Sequence, residues 1–329
     1  MTGGGEIRRM SNGMENESTL IYGNNGEISK NIKCILSPGW RGERTPRACV
    51  IGLGLIGGSL AGALHINNWE VWALDPEKES LELAAAKGWV QESWSDWAEL
   101  PAVLDVDLLV LALPLSMLTD GYVQLAGRVP QGAIVTDVGS VKMEIGEIAQ
   151  NRQEGNAAEF YFVGGHPMTG SERSGFHTAH PHLFRGYPYV LSPGPDCPSL
   201  VTEKMAFLLQ SFGAQVVFRE PKEHDTEVAM VSHIPHLLAV ALMLAAQDVG
   251  EGARSTLALA GRSFRDVTRI ADSSPEMWRE ILLKNSGAVL AGLDCLEQRI
   301  QTLRKYIEQR DGEAIAEAFR QAHELRDYL

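Results

Sequence analysis

Cationic side chains are scarce: 29 Lys and Arg stand against 42 Asp and Glu in 329 residues, a formal charge of −13. That balance argues against nonspecific binding to nucleic acid or to an anionic membrane. It leaves small acidic ligands open, since these need only a local cluster of Arg and Lys. Cysteines are few and far apart (Cys34, Cys49, Cys197, Cys295), without the paired spacing of a metal site. They read as reduced thiols, which implies the cytoplasm. No apolar run reads as long enough to span a membrane. No signal-peptide core or Arg-rich amphipathic segment is visible near the start, and internal repeats are absent. What remains is a globular composition, 44% hydrophobic and 22% charged, over a length that accommodates two domains with their own cores.

Residues 1–45 are rich in Gly, Asn, Ser and Glu and read as a poorly ordered extension. A start codon assigned upstream of the true one fits the same composition. From Arg47 the pattern alternates. Strands are predicted at Ala48–Leu53, Glu70–Leu74, Val106–Leu113 (ended by Pro114), Ala133–Asp137, Tyr161–Val163, Tyr187–Leu191 and Gln215–Phe218. Helices follow the glycine turn through about Ile66, then span Ser80–Lys87, with Gly88 beyond its end, and Leu200–Phe212. Near-continuous apolar strands alternating with helices indicate a mostly parallel sheet covered on both faces. After Pro221 the pattern is all helical: Glu223–Val249 interrupted by Pro235, then Ala253–Ala271, Pro275–Gln309 and Gly312–Tyr328. The expected organisation is a Rossmann-type α/β domain over 46–221 and an all-α domain over 222–329. The second half of the helix 223–249 is apolar on most sides, so it must be buried from several directions. A self-contained helical core and a homodimer interface explain it equally well.

The segment Gly52-Leu53-Gly54-Leu55-Ile56-Gly57 fits G-x-G-x-x-G, with a strand before it, a helix after it, and Asp75 at the end of the next strand. Gly52 permits the tight turn, Gly54 lets the backbone approach a pyrophosphate, and Gly57 lets the helix pack on the strand. The helix N-terminus offers free N–H groups to phosphates. Asp75 suits both adenosine ribose hydroxyls and repels a 2′-phosphate, which favours NAD over NADP. The expected cofactor contacts are Gly52, Gly54, Leu55, Ile56, Gly57, Asp75 and Pro114.

His166 closes an apolar run and precedes a proline, which pushes it into an extended conformation at a strand's exit. Glycines and small polar residues around it leave room for a reacting ligand; a hydrogen-bonded turn histidine fits the same residues. His233 and His236 are three apart and share a helix face. No carboxylate or thiol completes a ligand set beside them, so metal binding is discounted. Pro235 should kink the helix there.

Five blocks, in order, carry a resemblance: Gly52–Gly57, Thr136-Asp137-Val138-Gly139-Ser140-Val141-Lys142, Gly164–Gly175, Ser232-His233-Ile234-Pro235-His236, and Phe264-Arg265-Asp266-Val267-Thr268-Arg269-Ile270-Ala271, with Met277-Trp278 beyond. From Arg47 to Leu329 the chain resembles the prephenate and arogenate dehydrogenases of tyrosine biosynthesis. The resemblance implies oxidative decarboxylation: NAD+ takes a hydride from the ring carbon bearing the 4-hydroxyl, CO2 leaves, and the ring becomes aromatic. It implies that His166 accepts the hydroxyl proton and that Ser140 supports it, although Ser140 also suits the N-cap of a helix starting at Val141. It makes Arg269 the binder of a substrate carboxylate, with pairing to Asp266 as the alternative. Arg265 and Lys142 are weaker candidates for the second carboxylate. It turns His236 toward the substrate, with His233 less certain, sets Glu172 at the pocket mouth and makes Trp278 a wall. Arg262 stands where relatives commonly carry small residues. Met230 is not acidic, which leans toward prephenate over arogenate, whose ammonium needs an acceptor; Asp225 and Glu227 remain candidates for that acceptor. Outside the family, a short-chain β-hydroxy acid dehydrogenase would want a lysine where this helix offers histidines, and a non-catalytic NAD(H)-sensing protein would need the glycine loop but not His166.

Overall fold

Mostly apolar strands, buried on both faces, decide the middle of the sheet. β1 (Arg47–Ile51), β2 (Glu70–Leu74), β4 (Leu108–Leu111) and β5 (Ile134–Asp137) are buried throughout, apart from the first residues of β1 and β2. Strands of that kind need helices on both faces. The computed structural model describes Trp40 and residues 44–125, 127–155, 160–170, 175–250 and 252–329. The extension expected over 1–45 lies outside the described residues save Trp40, Arg44 and Thr45. With β3 (Glu92–Trp94), β6 (Tyr161–Pro167), β7 (Pro188–Pro193) and β8 (Gln215–Phe218), the sheet runs β3-β2-β1-β4-β5-β6-β7-β8. Every neighbouring pair is parallel except β6–β7. The first six strands have the doubly wound order, with its switch point between β1 and β4. Crossovers are α1 (Leu55–Ile66), α2 (Lys78–Ala86), α3 (Leu115–Gln124) and α4 (Met143–Gly155); α5 (Ser199–Ser211) joins β7 to β8. Ile51, Leu74, Leu109, Leu111, Tyr122 and Phe162 meet in the core on one face of the sheet.

The chain is then helical: α6 (Pro221–Val228), a π turn at Ala229–His233, α7 (Ile234–Gln247), α8 (Ala253–Leu257), α9 (Arg262–Thr268), a 3-10 turn at Arg269–Asp272, α10 (Pro275–Lys284), α11 (Ser286–Glu308) and α12 (Gly312–Leu325). Glu280 on α10 accepts the Ser116 N–H at the start of α3 (3.1 Å), and Lys284 ion-pairs with Glu144 of α4.

Four of the departures from the sequence pattern have a local reason. β6 runs on to Pro167 because the antiparallel pairing with β7 continues past Val163, matching Gly165 to Leu191 and His166 to Val190. His166 therefore lies within the strand rather than beyond it. β3 is a three-residue polar edge strand, too short for any periodicity. The helix expected over 275–309 breaks at Asn285, whose side chain turns inward to donate to the Asp225 carbonyl (2.8 Å). Pro235 has no N–H to give to the turn before it, and that turn widens into the π conformation.

Taken together, Pro221–Gln247 makes a 27-residue rod, by length and composition long and apolar enough to cross a membrane. The expectation that no apolar run reaches that length is thereby corrected. Of the two explanations for its apolar sides, the helical core of the single chain does not suffice, since Val240, Leu242 and Leu244 are exposed in it.

Beneath the sheet's carboxyl edge, Asp137 and Lys142 form an ion pair with both side chains almost wholly buried. Asp137 also accepts the N–H groups of Gly139 (2.9 Å) and Gly165 (3.1 Å). Removing one partner of such a pair strands the other charge in the interior, which costs about 3–5 kcal/mol. Lys142→Met is expected to lower the free energy of unfolding by that amount in urea titration. A loss under about 1 kcal/mol would show that Asp137 is satisfied by backbone alone.

Candidate active site

At the switch point the three glycines divide their labour. Gly52 has φ +94°, and a Cβ there would lie 2.3 Å from the Ala112 carbonyl oxygen. A Cβ on Gly57 would lie 1.9 Å from the Gly52 carbonyl oxygen. A Cβ on Gly54 would meet nothing within 4 Å. The outer glycines are thus demanded by packing, while the middle one lines open space at the N-terminus of α1, where Leu55 and Ile56 are half-buried. Asp75 sits at the end of β2, its carboxylate held by the N–H groups of Leu53 (2.6 Å) and Glu77 (2.8 Å). Pro114 begins α3 where β4 ends. A cradle at a helix N-terminus with a fixed carboxylate one strand away fits a dinucleotide without rearrangement.

His166 is buried near the end of β6, and its Nδ1 lies 2.8 Å from Nε2 of His224 on α6. His224 Nδ1 lies 2.7 Å from Asp225 Oδ1. The Asp225 carboxylate also accepts the N–H groups of Lys142 (2.8 Å) and Met143 (2.9 Å) at the start of α4. The expected helix N-cap, Ser140, is thereby spared that duty: α4 is capped by a carboxylate from the other half of the chain. Ser140 is half-buried in the turn after β5. Gly165 is required beside His166, since a Cβ there would lie 2.6 Å from the Asp137 carbonyl oxygen.

The π turn and α7 bring the other histidines together, with His233 near enough to act on His166. His236 stacks on Trp278 of α10 with ring centroids 3.8 Å apart, and its Nδ1 lies 2.9 Å from the Ser232 carbonyl oxygen. His233 packs edge-on to the same Trp278 and receives a hydrogen bond from Asn285 (3.2 Å). Arg269 is exposed and close enough to His236 to act on its charge. Asp266, the alternative partner for Arg269, pairs with Arg262 on the outer face of α9. Lys142 cannot reach a substrate carboxylate, because it is buried on Asp137. Arg265 is exposed and donates to the Ala260 carbonyl oxygen. Glu172 lies outside the described residues.

Residue-type reasoning passed over His224 and Asn285, and weighed Asp225 only as a substrate contact. An adjacent His-Asp pair opening the first helix after the last strand was the one available signal. His166 is held well below the ordinary histidine value by burial first, then by His224, Lys142 and His233. His233 is pushed down to about 4, chiefly by burial, and His236 is lowered by burial and by Arg269. The site thus presents neutral imidazoles at neutral pH. Among the described residues no cluster of His, Cys, Asp and Glu could hold a metal ion.

Comparison with known proteins gives the family. Residues 60–218 match the family model "Prephenate dehydrogenase, nucleotide-binding domain", and residues 220–321 match "Prephenate dehydrogenase, dimerization domain". The prephenate dehydrogenase of Bacillus subtilis is 33% identical over 281 residues, covering 84% of this chain and 74% of that one. Among solved structures, the arogenate dehydrogenase of Synechocystis superposes with a TM-score of 0.75 at 29% identity, over 86% of this chain and all of the other. The prephenate dehydrogenase of A. aeolicus, solved with hydroxyphenyl propionate and NAD+, gives a TM-score of 0.77 at 26% identity, over 87% and 98%.

Two predictions come from these contacts. Gly54→Ala should leave thermal stability unchanged and weaken nucleotide binding, whereas Gly57→Ala should destabilise the fold by at least the roughly 1–3 kcal/mol of an overpacked core. Calorimetry with and without NAD+ separates the two; equal behaviour would contradict the division of labour. The histidines set a pH dependence. His166, His233 and His236 have depressed values in the fold, so the unfolded chain binds more protons once the pH falls below about 6.5. Stability should therefore be full above that pH and decline between about 6.5 and 4. Melting temperatures across that range read the effect, and a smaller decline in a His166→Asn, His233→Asn double variant would assign part of it to those two residues.

Proposed function

The chain belongs to the prephenate dehydrogenase family, and we propose that it oxidatively decarboxylates prephenate to 4-hydroxyphenylpyruvate as a cytoplasmic homodimer. The observation that carries this reading is a buried, neutral His166 at the carboxyl edge of the sheet, in the same chain as a glycine cradle and a carboxylate suited to NAD. Bound there, NAD+ supplies the hydride acceptor. His166 takes the 4-hydroxyl proton through Nε2, since its Nδ1 is engaged by His224. Ser140, free of capping duty, orients that hydroxyl. Arg269 binds a carboxylate of the substrate, and His236 on its Trp278 wall, with His233 behind it, positions the ring. Loss of CO2 leaves an aromatic ring, which drives the reaction.

Prephenate is preferred to arogenate because both acidic candidates for an ammonium contact are occupied. Asp225 is spent on Lys142, Met143 and His224, and Glu227 is ion-paired with Arg219 at 2.7 Å. Residues 46–221 form the nucleotide domain and 222–329 the helical domain. The exposed apolar residues of α7, within the segment that matches a dimerisation model, support a homodimer. The free thiols Cys49, Cys197 and Cys295 support a reducing compartment.

The test is NADH formation with prephenate and with arogenate, each with NAD+ and NADP+. Turnover of prephenate with NAD+ is expected, and His166→Asn should lower kcat by about 10²–10⁴ while sparing NAD+ binding. Preference for arogenate would transfer the activity to the amino acid substrate. NAD+ binding without turnover of either would identify a nucleotide sensor instead.

A further inference from the structure

Histidine at position 166 is not alone in the interior; it is the inner end of a chain of three side chains that reaches the opposite half of the molecule. We propose that His224 and Asp225 are positioning residues which fix the tautomer of His166 and share the positive charge it gains when it takes a proton. The proposal rests on the reading of His166 as the base.

Hydrogen-bond direction follows from the end of the chain. A carboxylate only accepts, so Asp225 Oδ1 requires the proton of His224 to sit on Nδ1 (2.7 Å). With that proton on Nδ1, Nε2 of His224 offers a lone pair, and His166 Nδ1–H donates to it (2.8 Å). The lone pair of His166 is left on Nε2, the nitrogen away from this chain. The opposite order would put the proton of His166 on Nε2 and leave no base. Asp225 cannot rotate out of this role. Its two oxygens also accept the Lys142 and Met143 N–H groups, and its own carbonyl accepts from Asn285. His224 is buried and fixed at both ring nitrogens, edge-on to His166 with centroids 5.0 Å apart.

Charge explains why the base needs such a chain. The groups that act on His166 are Lys142 before α4, His224 on α6 and His233 in the π turn; Asp137 stands behind Lys142 and Asp225 behind His224. Asp137 is neutralised by Lys142. Burial, Lys142 and the neighbouring histidines all oppose an imidazolium at position 166. Asp225, acting through His224, is the negative charge left to offset them. The logic is that of an Asp-His pair behind a catalytic group, with a second imidazole inserted between carboxylate and base.

The experiment uses the full chain with NAD+ bound. His224→Phe keeps a ring in place but can neither accept from His166 nor donate to Asp225; His224→Gln offers both an acceptor and a donor. For His224→Phe we expect kcat to fall by on the order of 10- to 100-fold, the loss of one charge-assisted hydrogen bond, with KM for prephenate and Kd for NAD+ within about threefold. The acid limb of the kcat profile should shift, because His166 loses both the acceptor of its Nδ1 proton and the neighbouring imidazole that depresses its pKa. His224→Gln should regain at least about tenfold over Phe. Nitrogen-15 spectra of the wild-type complex should show His166 protonated on Nδ1, a readout that survives even if a variant fails to fold. A proton on Nε2 in the wild type would overturn the proposal. So would a folded His224→Phe with unchanged kcat and pH profile. Both results differ from failure of the base itself, which would appear as an active His166→Asn.

Discussion

A helix N-terminus met by a carboxylate from far along the chain is the contact on which this architecture turns. It occurs twice. Asp225 of α6 caps α4 through Lys142 and Met143, and Glu280 of α10 accepts the Ser116 N–H in the first turn of α3. Both helices follow strands of the nucleotide half, and both start at the carboxyl edge of the sheet, where the peptide dipoles present positive charge. The acidic helical half supplies the anions. Attachment of the helical half and helix capping are therefore one set of hydrogen bonds, and Lys142–Asp137 lies beside one of them.

This explains why the site is built from neutral groups in a chain of net charge −13. The charges that come near the base are each committed to structure: Lys142 to Asp137, and Asp225 to two backbone amides and His224. Reacting partners thus meet imidazoles whose protonation is set by burial. Arg269, by contrast, is exposed, and acts on His236 from outside.

Much of this was legible in the sequence. The glycine loop, Asp75 and the helical second half follow from periodicity and local chemistry, because parallel strands and tight turns leave strong marks on short segments. The grouping of His166, His236, Trp278 and Arg269 came from ordered motifs rather than from any pattern within one element. Missing were contacts made across more than fifty positions: His224 to His166, Asn285 to Asp225 and Asp225 to Lys142. No local propensity encodes such pairings. Lys142 was misjudged for the same reason, since a lysine reads as solvated until the fold gives it a buried carboxylate. Ser140 was offered two roles by its position, and a remote residue took one of them.

The π turn at Ala229–His233 bears on descent. A π turn is an α-helix carrying one residue more than its regular hydrogen bonding uses. Loss of that residue would restore an unbroken helix and rotate everything beyond it by about 100°. His224 would keep its place on the sheet, while His236 would swing off Trp278 and the bare side of α7 would face elsewhere. Spacing between Ala229 and His233, more than the identity of the residues there, keeps His236 on Trp278 and sets where the bare side of α7 faces, so an insertion or deletion there changes more than a substitution does.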